Sequence, residues 1–79
     1  MDANRVSRIL DIYTRLLDGE TIEKGSEAKK FGVSVRSIQR DIESIHLFLE
    51  EFVSKDGSVH KLAYDRVSRS YYLKKVSGA

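Results

Sequence analysis

From position 34 to 42 the chain reads Ser-Val-Arg-Ser-Ile-Gln-Arg-Asp-Ile, and four of these residues carry side chains suited to recognition. Arg36 and Arg40 are four apart, so on an α-helix they share one face. A guanidinium presents its N–H donors as a planar fork that fits the acceptor pair of a guanine edge or two oxygens of a phosphate. Ser37 and Gln39 add groups able to hydrogen-bond bases or the sugar-phosphate backbone. Ser34 precedes them as a helix cap, and a capped helix N-terminus itself favours a phosphate. Such a set binds a polyanion and makes no covalent bonds.

Catalysis has little to work with. His46 and His60 are the only histidines, and no cysteine stands at ligand spacing from either. No serine sits in a nucleophile elbow, and no glycine-rich phosphate loop occurs. Glu50 and Glu51 are sequence neighbours near a helix end, which points them apart. The expectation is a protein with no enzymatic activity, no metal and no cofactor.

The elements that must position Arg36 and Arg40 can be read from the flanking sequence. Gly32 can take the positive φ that closes a helix, Val33 can plug the corner, and Ser34 opens the next helix. Two helices joined by so short a turn read as a helix-turn-helix, whose second helix enters the major groove. That second helix is expected over 34–52, buried through Ile38, Ile42, Ile45 and Leu49. Arg36, Arg40, Glu43 and Leu47 then face outward, and Asp41 is expected to orient a neighbouring basic side chain. A first helix over 4–18, capped by Asp2 or Asn4, places Val6, Ile9, Leu10, Tyr13, Leu16 and Leu17 in one apolar stripe. Ile22 reads as an inward-facing single bridge, and Lys24 to Phe31 as a short helix weakened by Gly25, with Ser26 as a possible later cap. After a turn-rich break over 54–58, residues 61–65 and 70–74 alternate as two short strands around an Arg66–Arg69 tip. The fold class is therefore mainly α with a small β-hairpin, a single domain over 4–74 with a disordered tail over 75–79.

Size and charge agree with a small binding module. Seventy-nine residues allow one core. With no cysteine there are no disulfides, and no apolar run approaches the roughly 18 residues of a membrane span. A cytoplasmic protein is expected. The net charge is only +2, but residues 54–79 hold six basic against two acidic groups, placing positive charge where a nucleic-acid contact needs it.

Three helices followed by a hairpin match a winged helix. The stretch from Phe31 to Ile42, with Ala63-Tyr-Asp-Arg66 and Tyr71-Tyr-Leu73, resembles the N-terminal domain of bacterial DeoR-like transcriptional regulators, closest to those carrying a downstream WYL sensor domain. The resemblance covers roughly residues 5–74. It departs at Glu27, where the family usually has an apolar residue, and these 79 residues do not include a sensor domain. It implies sequence-specific binding of double-stranded DNA and control of transcription.

The expected DNA-binding residues are Ser34, Arg36, Ser37, Gln39 and Arg40 on the recognition helix and Arg66 and Arg69 on the wing, with Lys29 and Lys30 as further phosphate contacts. The rival expectation is a winged helix used for protein contact without DNA affinity. The isolated chain is expected to be monomeric, because the first helix reads as fully used in the core and pairing falls to a missing C-terminal region.

Overall fold

A computed structural model of the chain describes residues 3–51 and 59–76. Gly19 and Gly32 adopt φ of 88° and 66°, the left-handed region that costs other residues strain, and they stop the first two helices. Those helices are α1 (Ala3–Leu17) and α2 (Lys24–Phe31); α3 (Val35–Glu51) follows, then an antiparallel hairpin of β1 (Val59–Asp65) and β2 (Ser70–Val76). This is the winged-helix layout the sequence predicts. The strands are longer than expected, and β2 continues two residues past the predicted end at 74. The Asp2 cap, the end of α3 at Phe52, the turn over 54–58 and residues 77–79 lie outside the described residues.

The core gathers one apolar face from every element. Ile12 and Leu16 of α1 meet Ile22, Ala28 and the Ile38, Ile42, Ile45, Leu49 face of α3. Leu62, Tyr71 and Leu73 cover it from the inner face of the hairpin. Burying each of the larger side chains contributes about 1.5–3 kcal/mol. Ile22 is fully buried and pairs with Tyr71 through two backbone hydrogen bonds of 2.8 and 2.7 Å. That bridge fastens β2 to the α1–α2 connector, so the wing is part of the packed body.

The phase of α1 differs from expectation. Ile12 is completely buried, whereas Leu10 and Leu17 are 57% and 49% exposed. Apolar residues cover so wide an arc of this helix that its period alone points to no single inward face. The start of α2 also differs. Glu23 is its cap, accepting from the Gly25 and Ser26 backbone N–H groups at 2.9 Å each and from the Ser26 hydroxyl at 2.5 Å. These bonds, led by that hydroxyl, hold the Glu23 carboxyl below its ordinary value. Gly25 therefore belongs to the first turn of α2, and Ser26 serves the cap without being one.

Two ion pairs cross the helices under cover. Arg8 of α1 grips the fully buried Asp41 of α3 through Nε and through the other nitrogen at 3.1 Å. Arg15 makes a two-pronged pair with the buried Glu27 of α2, at 3.0 and 2.5 Å, and also reaches Asp11 at 2.6 Å. The bond to Glu27 is the main reason the Arg15 guanidinium holds its proton above the ordinary value, against the effect of partial burial. Glu27 thus takes a place expected to be apolar because Arg15 neutralises it. One paired charge fixes α1 to α3 and the other fixes α1 to α2.

Candidate nucleic-acid interface

The turn between α2 and α3 is built from backbone and one hydroxyl. The Gly32 N–H donates to Lys29 O at 3.4 Å and the Val33 N–H to Ala28 O at 3.0 Å, satisfying carbonyls at the end of α2. Ser34 Oγ accepts from the Ser37 N–H at 3.1 Å, and the two serine hydroxyls lie 3.1 Å apart. Ser34 and Ser37 are thus occupied in opening the helix. What they present to a ligand is a capped helix N-terminus, with the Ser37 side chain only partly exposed.

Asp41 sets the rotational phase of α3. With its carboxylate drawn inward onto Arg8, and Arg5 3.6 Å away on the outer side, the opposite face of the helix must look outward. Arg36 and Arg40 lie across the helix from the buried Ile38, Ile42, Ile45 and Leu49 and are exposed. Neither forms an ion pair among the described residues. The charges on α3 also run against its dipole. Arg36 stands in the first turn, where anions are favoured, and Glu50 and Glu51 in the last, where cations are. Such an arrangement does not serve helix stability.

Gln39 is engaged inside the protein. Its carbonyl oxygen accepts from Lys24 Nζ at 2.9 Å and its amide donates to Glu43 at 3.2 Å. The sequence expects a side chain able to bond bases or backbone here; in the fold it also clamps α2 to α3. Lys24 also lies 5.9 Å from the centre of the Tyr71 ring, so the same lysine joins both helices to the wing. Its spacing to Gln39 carries no helical period, and only the fold brings the two together. Lys29 and Lys30 are exposed at the end of α2, with Lys30 resting 5.4 Å from the Phe31 ring centre.

The hairpin runs back along α3. His60, Lys61 and Leu62 flank Leu49 and Glu50 near the end of the helix, while Tyr71 reaches Lys24 and through it Gln39. The tip therefore lies toward the N-terminal half of α3, the half that carries the two arginines. Asp65 folds the tip by accepting from the Val67 N–H at 3.0 Å and the Ser68 hydroxyl at 2.9 Å. Those bonds, the backbone one foremost, hold its carboxyl below the ordinary value. Arg69 takes a φ of 54°, a strained conformation for a residue with a side chain. Arg66 and Arg69 are exposed without an ion pair among the described residues. Between them Val67 is 95% exposed, an apolar tip that strand alternation gave no reason to single out. On the outer face of the hairpin Lys61 stands directly opposite Lys74, a like-charge pair that is unfavourable unless an anion joins it.

Among the described residues no group of three or more histidines, aspartates or glutamates could hold a metal ion, and no helix is long and apolar enough to cross a membrane. Comparison with protein-family models, curated proteins and solved structures finds no match for the chain.

Proposed function

We propose that the chain binds double-stranded DNA in a sequence-specific manner, as the DNA-binding module of a transcriptional regulator of the DeoR-like kind. The reading rests on one observation above the others: Arg36 and Arg40 project from the first turns of α3, exposed and without a counter-charge among the described residues. In this reading α3 enters the major groove with its N-terminal half. Its arginines pair with guanine edges or phosphates, and the capped helix N-terminus lies against the backbone. Arg66 and Arg69 meet backbone or minor groove, and Val67 meets the sugars or base edges between them. Lys29 and Lys30 add phosphate contacts at the rim. Gln39 acts by holding α3 in place, and its direct contact with bases is not part of the proposal.

Selection of bound sequences from random duplexes, followed by titration of the winning site, tests this. Arg36→Ala and Arg40→Ala are each expected to cost ~1–3 kcal/mol of specific affinity with unfolding midpoints unchanged. Folded variants that bind as tightly as the parent would remove both arginines from the interface.

A protein-contact module is the second reading, favoured by the exposed Glu43, Glu50 and Glu51 on the same helix. The salt dependence separates the two. Binding to duplex DNA weakens steeply as salt rises, because phosphate counterions are released. A chain with no duplex affinity even at low salt is a protein-contact module.

A further inference from the structure

Lys24 stands in the first turn of α2, where the helix dipole disfavours a cation, so its charge does not serve α2. The ammonium instead joins two other elements. It donates to the Gln39 carbonyl oxygen of α3 at 2.9 Å and lies 5.9 Å from the centre of the Tyr71 ring of β2, inside the roughly 6 Å reach of a cation over an aromatic face. Both partners are themselves held. The Gln39 amide donates to Glu43 at 3.2 Å, so its oxygen is directed to the ammonium and its nitrogen to the carboxylate. The Tyr71 ring leans on Tyr64 of β1, with centroids 4.9 Å apart, and its backbone is pinned to Ile22 by bonds of 2.8 and 2.7 Å. One line of contacts therefore runs from Glu43 through Gln39, Lys24 and Tyr71 to Tyr64, from the middle of α3 to both strands.

The ends of this line sit beside the parts assigned to DNA. Gln39 is the neighbour of Arg40. Tyr64 and Tyr71 are paired across the hairpin, and Arg66 and Arg69 each stand two residues further toward the tip, about 7 Å along the strand. Among the hairpin residues packed on the core, Tyr71 is nearest the tip. The hold on its ring thus sets where the tip arginines stand relative to Arg36 and Arg40.

We propose that Lys24 is a positioning residue that couples the wing to α3, so that the tip arginines and the α3 arginines meet one duplex as a unit. The inference rests on the DNA reading above and adds the residue that makes its two halves cooperate. Lys24, Gln39 and Tyr71 are half-buried, and the Ile22 bridge, Leu62 and Leu73 fasten the hairpin without the ammonium. Losing it loosens the angle of the tip and leaves the fold in place. A loosened tip must be ordered again on binding, which removes part of what its contacts contribute.

A double-mutant cycle on the selected duplex tests this. The factor by which Arg66→Ala with Arg69→Ala weakens binding is expected to shrink at least threefold in a Lys24→Met background, while the factor for Arg36→Ala stays the same. Lys24→Arg, which keeps a cation over the ring and a donor for Gln39, is expected to restore the full wing factor. Gln39→Met breaks the same line from the α3 side and carries the test should Lys24→Met unfold; urea denaturation reads the folded fraction of each variant. A wing factor equal in both backgrounds of folded protein overturns the coupling, even where Lys24→Met binds more weakly. A lysine that only touches phosphate, or only stabilises the body, leaves that factor unchanged. A parent with no affinity for any duplex removes the DNA reading and the coupling together, whereas a parent that binds and gives equal factors removes the coupling alone.

Discussion

Replacing Asp41 with asparagine tests whether one buried carboxylate holds α3 in phase. Asp41 is fully buried and Arg8 is 8% exposed, so the substitution takes from a buried guanidinium the carboxylate it grips through two nitrogens. Removing one partner of such a pair costs about 3–5 kcal/mol, because the remaining charge is uncompensated. A 79-residue domain at about 0.05–0.15 kcal/mol per residue has about 4–12 kcal/mol in all, so Asp41→Asn should bring the chain close to unfolding at room temperature. Urea denaturation followed by circular dichroism reads this directly as a shift of midpoint at constant slope. The double variant Arg8→Met with Asp41→Leu supplies the control. It removes both charges at similar volume, and should recover most of the loss, since apolar replacement of a whole buried pair is often neutral or better. A loss below about 1 kcal/mol for Asp41→Asn, or a double variant no more stable than the single one, would refute the claim that this pair locks α1 to α3.

Other expectations are as direct. Arg66→Ala combined with Arg69→Ala should weaken binding to all duplexes alike and flatten the salt slope by up to about two units; loss confined to one preferred sequence would mean that the wing reads bases. Gly32→Ala meets open space around the added carbon but keeps a φ of 66°, so its cost should be the backbone term alone, roughly 1–2 kcal/mol in the urea midpoint. Glu23 and Asp65 both have carboxyls lowered in the folded state from ordinary values of 4.5 and 3.8. Their stabilisation is therefore complete above those values and fades as pH falls through the lower folded ones. Glu23→Gln with Asp65→Asn should make stability less dependent on pH across that acid range, and an acid limb as steep as the parent's would show that other carboxylates govern it.

Much of the site was legible because it is local. The turn at Gly32, the cap at Ser34 and the outward placing of Arg36 and Arg40 follow from backbone preference and from the 3.6-residue period of one strongly patterned helix. The inward turn of Ile22 and the order of three helices before a hairpin were legible from local pattern, whereas the bridge from Ile22 to Tyr71 joins residues far apart in sequence. The clamp made by Gln39 was not legible, because its partner Lys24 sits 15 residues away on another helix. The fate of a long polar side chain depends on what lies within its reach.

The sequence by itself determined which elements form and which residues share a face. The tertiary structure decided which face goes inward and which charges can be buried. α1 has apolar residues on two arcs, and periodicity treats them alike. Only the fit against α3 and Ile22 sends Ile12 and Leu16 into the core and leaves Leu10 and Leu17 outside. Arg8 and Asp41 stand 33 positions apart, and Arg15 and Glu27 stand 12 apart. In sequence Asp41 is expected to orient a basic side chain, but neither that partner nor the pairing of Arg15 with Glu27 can be read from it. A charge is costly to bury alone and acceptable when its counter-charge arrives with it, and that meeting happens only when the helices have packed.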